Sequence, residues 1–418
     1  MHVIRRRFAE APAASMSQNT NGTVDSIASK GPWSVSAITA GLLAVIISYA
    51  GPLAIYFQAA HTAHVDNNVV ASWVWSISMG AAISGLTLSW WLKQPIITAW
   101  SAPGTALLVT LFPGMPMPVS DAIGAYIVAG GCILALGLSG LFDQITKRIP
   151  QGIACGMMAG ILFQFGTNIF KSVAINPWLA FGMFGSYLVF RRWAARYSLI
   201  LVLGFGCLLA MALGLTHFDT VSLRVTHPVF TLPTWTWQST ISLAVPLVVV
   251  SLTGQFLPGF AILRVSGYET PSRPVLVGTG LASIMVAFTD GIAIVIAAIT
   301  AALCTGPDSH RDAERRYVAG IANGLFYLIG GTFAGTVVML FAALPNAFVA
   351  ILAGLALLGA IATNIVGVVQ DEAHREASFI TFIATASNMS FLGLGSAFWG
   401  IVLGAAAHLV LRRTAALR

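Results

Sequence analysis

Charged side chains are scarce in this sequence. Only 8% of its 418 residues are charged, whereas soluble domains contain about 25%. Hydrophobic residues make up 57% of the chain, and the mean hydropathy is +0.84. The composition excludes a soluble globular protein and predicts an all-α integral membrane protein that crosses the bilayer many times. Spans of about 20 residues with short connections fit roughly 12 to 14 times into this length.

Motifs that would identify an enzyme or an ATP-driven pump are also absent. The chain has no GxxxxGKS/T phosphate-binding loop and no HExxH zinc motif. No paired carboxylates, Ser/His/Asp set or His cluster falls within an apolar segment. The four cysteines lie in apolar runs without metal-like spacing and are interpreted as packing residues. We therefore expect no enzymatic activity, no cofactor and no metal site.

The first 30 residues lack the apolar core of a signal peptide. They contain Arg5-Arg6-Arg7 and then a polar stretch rich in Ala, Ser, Asn and Thr. This composition argues against a cleaved signal and predicts a disordered cytoplasmic tail over residues 1–30. The membrane-embedded part is then residues 31–418.

Fourteen apolar segments follow this tail, and the third and tenth are short for a full span. If the N-terminus lies inside, only Lys171 and Arg224 of the 21 Lys and Arg residues fall on the outer side. The positive-inside rule therefore supports fourteen spans, both termini in the cytoplasm and an inner-membrane location. The same distribution explains the +7 net charge without a nucleic-acid partner. The segments are 36–59, 69–92, 95–112, 119–142, 150–170, 176–191, 197–216, 241–264, 272–289, 291–304, 314–342, 346–369, 377–391 and 394–411.

The third segment, within Gln94–Phe112, is interrupted. Ile96–Trp100 is mostly β-branched or aromatic, which favours an extended backbone, and Pro103-Gly104 blocks one continuous helix. Thr105–Phe112 is predicted to form a short helix. A non-helical backbone at membrane depth is tolerated only where protein buries it or where it lines a cavity. This segment therefore predicts a cavity inside the membrane.

The tenth segment resembles the third, which suggests an internal repeat. Its β-rich first half, Gly291–Ile296, also runs into a short Ala/Leu/Thr helix, and Gln58 and Gln255 lie near Gly/Pro pairs in segments one and eight. In both comparisons, one with eight and three with ten, the matching segments are seven segments apart. Two halves of seven spans each enter the membrane in opposite orientations, so we predict 7+7 inverted repeats. The two short helices would then point their N-termini at each other, and such N-termini attract anions.

Polar and aromatic side chains near this point are the candidates for ligand contact. Gln58 and Gln255 could hydrogen-bond a carboxylate, and Ser101 and Thr105 flank the break. An intramembrane Gln that only ties helices together, and aromatic residues that only pack, remain open alternatives. The candidate substrate-binding residues are Gln58, Trp100, Ser101, Gly104, Thr105, Gln255, Phe256 and Ile294.

Asp290 differs from the other acidic residues, which lie in connections, in the tail or at segment edges. It stands between segments nine and ten, where an ionisable group could enter the cavity and carry a proton. The alternative is an ordinary turn residue, because Thr289-Asp290-Gly291 is a good turn sequence.

Three stretches resemble the bacterial benzoate/proton symporters of the BenE family. They are QPIITAWSAPGTALL from Gln94, LPGFAILRVSGY from Leu257, and AAITAALCTGPDSHRDAERRYVAG from Ala297. The family is similar in fold to uracil permease and the sulfate-type anion transporters. The resemblance implies a core domain (about 36–142 and 241–342) that moves against a gate domain (about 150–216 and 346–411). It also implies a substrate between the half-helices of spans three and ten, and a homodimer through the gate domains.

Two positions depart from the family pattern. The strand Gly291–Val295 lacks the His and Asn that the family pattern carries there, and Phe256 stands where Asn is expected. The sequence thus predicts an inner-membrane secondary transporter, without cofactor, for benzoate or a similar small aromatic carboxylate, coupled to protons. A nucleobase or inorganic-anion permease of the same fold and a non-transporting membrane sensor are the alternatives.

Overall fold

A computed structural model describes residues 33–112 and 118–415. The tail predicted to be disordered, residues 1–30, lies outside the described residues. The described chain is mostly helical, and every predicted apolar segment contains at least one of its helices. Within the described ranges, seven helices are long and apolar enough to cross a membrane, and the pair Ala313–Thr332 and Ala334–Ala342, bent by 67°, is an eighth candidate.

The first half of the chain forms nine helices and one short strand within the described residues. The first predicted segment is split at Gly51, because Pro52 starts a new helix and provides no backbone N–H to continue the previous one. The elements are α1 Val35–Ala50, α2 Pro52–Thr62, α3 Asn67–Leu92, β1 Thr98–Trp100, α4 Ala102–Leu111, α5 Val119–Ser139, α6 Phe142–Thr146, α7 Gln151–Lys171, α8 Pro177–Trp193 and α9 Ser198–Ala212.

The second half begins with a long helix and ends with a small hairpin and a final helix. Its elements are α10 Trp237–Val265, α11 Ser272–Ala287, β2 Ile294–Ile296, α12 Ala298–Thr305, α13 Tyr317–Thr332, α14 Ala334–Ala342, α15 Asn346–Gln370, α16 Arg375–Ala386, β3 Ser390–Phe391, β4 Leu394–Gly395 and α17 Ser396–Ala415.

Helix α10 contains two π-helical stretches, Thr240–Ala244 and Leu252–Phe256. Each precedes a proline, Pro246 or Pro258. A proline cannot donate the backbone hydrogen bond of an α-turn, and its ring crowds the preceding carbonyl, so the wider π-turn relieves the conflict. Gln255 lies in the second of these stretches.

Helices α7, α16 and α17 pack closely through small residues. A Cβ atom built on Gly156 would lie 2.4 Å from the Ser378 carbonyl oxygen, and one built on Gly160 would lie 2.5 Å from Thr385 Cβ. Gly400 and Gly404 of α17 approach Thr385 and Thr381 as closely. In the sequence these glycines recur every four residues in each helix, a small-xxx-small spacing that predicts close packing, and the structure shows that the hydroxyl-bearing face of α16 fills both grooves.

The connection between α9 and α10 runs across one end of the bundle. In chain order its backbone hydrogen-bonds to α14, α13, α3, the C-cap residue of α11 and α5, for instance through Val229 N to Ser72 Oγ (2.9 Å) and Thr231 N to Phe288 O (3.0 Å). Trp235 and Trp237 are exposed at its end. This connection therefore covers the end of the bundle at which Asp290 lies.

Candidate functional site

The two interrupted segments cross as a pair of antiparallel strands. In β1 and β2, Thr98 pairs with Ile296 and Trp100 with Ile294. The pairing continues by one hydrogen bond at each end, Ser101 N to Ala293 O and Ala297 N to Ile97 O, both 2.9 Å. The extended backbone predicted for both segments is confirmed. The pairing also provides hydrogen bonds for backbone N–H and C=O groups that would have no partner in lipid.

Both half-helices start directly after this crossing. The first one, α4, begins at Ala102, three residues before the predicted start at Thr105. The prediction placed the start too late, because a proline is tolerated in the first turn of a helix and Ser101 provides an N-cap. Ser101 Oγ accepts a hydrogen bond from Gly104 N (3.1 Å), and the Thr105 hydroxyl donates to Ser101 O (3.0 Å).

The N-terminus of α12 is different. Its N-cap residue is Ala297, so within the described residues no side chain caps this helix. The backbone angles of Ala297 (φ −87°, ψ 92°) and Ser101 (φ −75°, ψ 98°) are nevertheless almost the same. The hydroxyl of Thr300, in the first turn of α12, is buried and has no partner in the described part of the chain. The first-turn N–H groups of a helix have no partner within that helix. Those of α12 therefore remain available as donors, whereas one of those in α4 is already bound to the Ser101 hydroxyl.

A large cavity opens between two groups of helices and reaches both half-helix starts. Its volume is about 1970 Å³, and its walls include Ala102 and Pro103 at the start of α4 and Ala298 at the start of α12. Helix α10 contributes Thr253, Gly254 and Gln255, and the facing wall is built by α7, α8, α9 and α15. The membrane cavity predicted from Gln94–Phe112 is therefore present in the structure.

Basic side chains outnumber acidic ones around this cavity. Two acidic residues line it, Asp143 and Glu269, and Arg196 is engaged in an ion pair with Asp308 at 3.0 Å. The other basic residues take part in none of the ion pairs formed by the described residues. They favour an anion in the cavity, and they are Lys147, Arg191, Arg264 and Arg273.

Of the predicted substrate-binding residues, Gln255 lines the cavity. Ser101, Gly104 and Thr105 lie behind the cavity wall, in the buried first turn of α4. Gln58 lies in α2 away from the cavity walls, and its buried Nε2 has no hydrogen-bond partner among the described residues.

The two aromatic candidates and Ile294 are buried. Trp100 contacts the rings of Tyr49, Tyr56 and Tyr327, with centroids 6.1 to 6.4 Å apart. Phe256 is fully buried and does not line the cavity, but it packs against Phe142 and Phe260, which do. The Ile294 amide donates a hydrogen bond to the Ser283 hydroxyl oxygen (2.8 Å), which holds β2 against α11.

Asp290 lies at the covered end of the bundle, outside the cavity. It is only 2% exposed and has a left-handed backbone conformation (φ 68°), as expected of the predicted turn. One carboxylate oxygen, Oδ2, accepts a hydrogen bond from the Thr231 hydroxyl (3.2 Å). The other, Oδ1, is buried without a partner in the described ranges, which makes the charged form costly there.

Several cavity residues were not identified from the sequence. Gln151, Ala154, Cys155 and Met158 line the cavity with one face of α7. Their spacing of three, four and seven residues is visible in the sequence, but the glycines of the same helix indicated only packing. The sequence does not reveal which of its faces a buried helix presents to a cavity.

The helical bundle, the crossed half-helices and the cavity define a membrane transporter fold, and solved structures agree. The transmembrane domain of a cyanobacterium bicarbonate transporter, BicA, aligns with a TM-score of 0.58 over 90% of this chain and 96% of that chain, at 17% identity. Murine Slc26a9, an anion transporter in its inward-facing state, aligns with a TM-score of 0.64 over 91% of this chain and 68% of that chain, at 12% identity.

Sequence comparisons identify the family. Residues 31–410 match the profile of the benzoate membrane transport protein family, BenE. The benzoate membrane transport protein of Acinetobacter baylyi is 52% identical over 382 residues, which cover 91% of this chain and 96% of that protein. The inner membrane protein YdcO of Escherichia coli is 36% identical over 90% of this chain and 95% of its own length. The chain belongs to the BenE family and is a multi-pass membrane transporter, not an enzyme, as the resemblance predicted.

Proposed function

We propose that this transporter carries benzoate or a similar small aromatic carboxylate across the bacterial inner membrane, together with protons, by alternating access. The observation that carries the proposal is the cavity, which reaches the uncapped N-terminus of α12. Its relative of 52% identity is named for benzoate transport. A carboxylate can accept hydrogen bonds from the free N–H groups at a helix N-terminus. Apolar walls suit a benzene ring.

The substrate carboxylate binds at the α12 N-terminus, and Gln255 donates an additional hydrogen bond. Helix α4 contributes the shape of the site, through Ser101, Gly104 and Thr105, and its helix dipole. The Ser101 hydroxyl does not bind the substrate as well, because it already caps α4. Trp100, Phe256 and Ile294 support the site from behind, and Gln58, whose Nε2 has no partner among the described residues, lies away from the substrate. Lys147, Arg191, Arg264 and Arg273 raise the local concentration of the anion at the mouth.

The topology we propose has fourteen spans in two inverted repeats of seven, with both termini in the cytoplasm. Antiparallel pairing of β1 with β2 supports it. So does the packing of α3 with α13 and of α5 with α11, because a seven-segment offset converts one pair into the other. The basic residues of the cavity all belong to the predicted inner side, so the cavity opens to the cytoplasm.

Alternating access requires two bodies that move against each other. The core domain comprises about 36–142 and 241–342, and the gate domain about 150–216 and 346–411. The cavity supports this division, since α1, α4, α10 and α12 build one wall and α7, α8, α9 and α15 the other. The gate domains pair in a homodimer.

The proton carrier is Asp290. Protonation removes a buried charge whose one side-chain hydrogen bond among the described residues comes from Thr231, and it turns Oδ1, unpartnered there, into part of a neutral group. Asp290 lies at the end of the bundle opposite the cytoplasmic cavity. A carboxylate there takes up its proton from the outer side, which suits uptake driven by an inward proton gradient.

Uptake of labelled benzoate into proteoliposomes tests the function. Saturable uptake that increases when the outside is acidified is the expected result. Absence of saturable uptake of any aromatic acid, with or without a gradient, would refute the proposal. If benzoate binds to the purified protein without any flux, the protein acts as a sensor.

An inorganic-anion permease is the second candidate, because a fold neighbour is a bicarbonate transporter. Competition separates the two functions. Benzoate transport predicts that bicarbonate and sulfate do not compete with labelled benzoate at matched concentration. Inorganic-anion transport predicts that bicarbonate is taken up and that benzoate does not inhibit it.

A further inference from the structure

The lining of the cavity along the gate helix α7 stops at Met158, where α7 meets the core helix α10 and closes this end of the wall. The cavity-lining residues of α7 begin with Gln151 and end with Met158. Met158 is 4% exposed, so its side chain is enclosed by protein and forms the end of this wall. The residue opposite is Gly254, which precedes Gln255 in the π-helical stretch.

Gly254 and Met158 are complementary in shape. A Cβ atom built on Gly254 would lie 2.7 Å from the Met158 methyl carbon Cε and 3.2 Å from its sulfur. Real Cβ atoms do not approach other atoms this closely, so the Met158 thioether occupies the space that a side chain at position 254 would need. The absence of a side chain at Gly254 therefore keeps the methyl group of Met158 out of the cavity.

We propose that Met158 and Gly254 together determine the size of the ring that the transporter accepts. The inference rests on the proposed aromatic-carboxylate function and adds the residues that select among such substrates. With its carboxylate at α12 and Gln255, a single-ring acid directs its ring toward this closed end. A thioether is flexible and makes favourable contacts with aromatic rings, so Met158 is suited to forming the wall that the ring touches.

The two single variants should change the space available for the ring in opposite directions. Met158→Ala removes the end wall and makes room for a second fused ring. Gly254→Ala adds a methyl group that displaces the Met158 side chain into the cavity, because the far end of a methionine is the part that can move. The double variant Met158→Ala/Gly254→Ala has a methyl group on one wall and space on the other, so the conflict disappears.

The experiment measures competition by benzoate and by 2-naphthoate against labelled benzoate uptake in proteoliposomes. Met158→Ala should shift the ratio of the two inhibition constants toward 2-naphthoate by about tenfold or more, the usual effect of a few methylene-sized groups in an apolar pocket. Gly254→Ala should weaken benzoate inhibition, and the double variant should recover most of that loss. The controls are Met285→Ala, an exposed methionine outside the cavity, and Gly185→Ala, whose added Cβ would meet no described atom within 4 Å.

The outcomes separate this inference from the proposed function. A Met158→Ala variant that transports benzoate with an unchanged ratio overturns the inference and leaves the function intact. A double variant that remains as impaired as Gly254→Ala also overturns it, since the two positions then act independently. Wild-type protein without saturable benzoate uptake refutes the function itself. Thermal melting of each variant identifies a folding defect, and ligand-induced stabilisation by the two acids supplies the same ratio without transport.

Discussion

The contrast between the two half-helices can be tested by giving α12 the cap that α4 already has. Ala297→Ser introduces a hydroxyl at a position whose backbone angles differ from those of Ser101 by 12° in φ and 6° in ψ. In α4 that hydroxyl accepts from the amide three residues later, at 3.1 Å. The equivalent donor in α12 is the amide of Thr300. The new side chain should therefore cap α12 without any change in the backbone.

The expected magnitude follows from the value of an N-cap. A serine at this position is worth about 1 kcal/mol relative to alanine. If the substrate carboxylate uses the same amide, it must first displace the new hydroxyl, so its affinity should fall by a similar amount, about fivefold in Kd. The variant should thus melt at a higher temperature and bind benzoate more weakly. These two effects have opposite signs, and a general folding defect cannot produce both.

Melting curves and titration calorimetry with benzoate on the purified protein provide both readouts. Ser101→Ala is the reverse control for the first one, because it removes the existing cap and should lower stability by about 1 kcal/mol. A stabilised Ala297→Ser variant with unchanged benzoate affinity would show that the carboxylate does not bind at α12. A variant with neither change would show that the serine does not cap, and the reasoning from the backbone angles would then be wrong.

Two further variants test other parts of the molecule. Asp290→Asn keeps the shape of the side chain and its contact with Thr231, but it cannot exchange a proton. Benzoate accumulation should therefore no longer follow an imposed pH gradient, while benzoate exchange at equal pH persists. Accumulation equal to that of the wild type would remove Asp290 from the mechanism. Gly156→Ala should destabilise the protein by about 1–3 kcal/mol, because its Cβ would lie 2.4 Å from the backbone oxygen of Ser378, which cannot move away without α16. Gly185→Ala, with open space around it, should leave the melting temperature nearly unchanged.

Much of the fold could be predicted because it depends on local chemistry. Long apolar runs gave the positions of the helices, and the β-branched residues before Pro103 gave the extended stretch. The glycine spacing in α7 gave its close packing. The similarity of segments three and ten predicted that both contain an extended stretch, but not that Trp100 would pair with Ile294.

The parts that the sequence did not reveal depend on how helices are rotated against each other. Gln255 and Phe256 are neighbours, yet Gln255 faces the cavity and Phe256 is buried against Phe142. Adjacent residues of a helix point in directions that differ by about 100°, and a π-turn changes the phase further. No single-sequence pattern predicts that phase. The same limitation concealed Met158, because the sequence does not show which face of α7 meets the cavity.

The departures from the family pattern are consistent with a site built mainly from backbone donors. The strand before α12, Gly291–Val295, has no polar side chain, and its residues are fully buried in the described structure. The N-cap of α12 is an alanine, so the helix end has no competing side chain. Polar side chains in that region would compete with the substrate for these amides or leave unpaired groups in the membrane. An apolar strand that leads into an uncapped helix therefore does not imply loss of ligand binding, and it agrees with our proposal that the α12 backbone and Gln255 recognise the carboxylate.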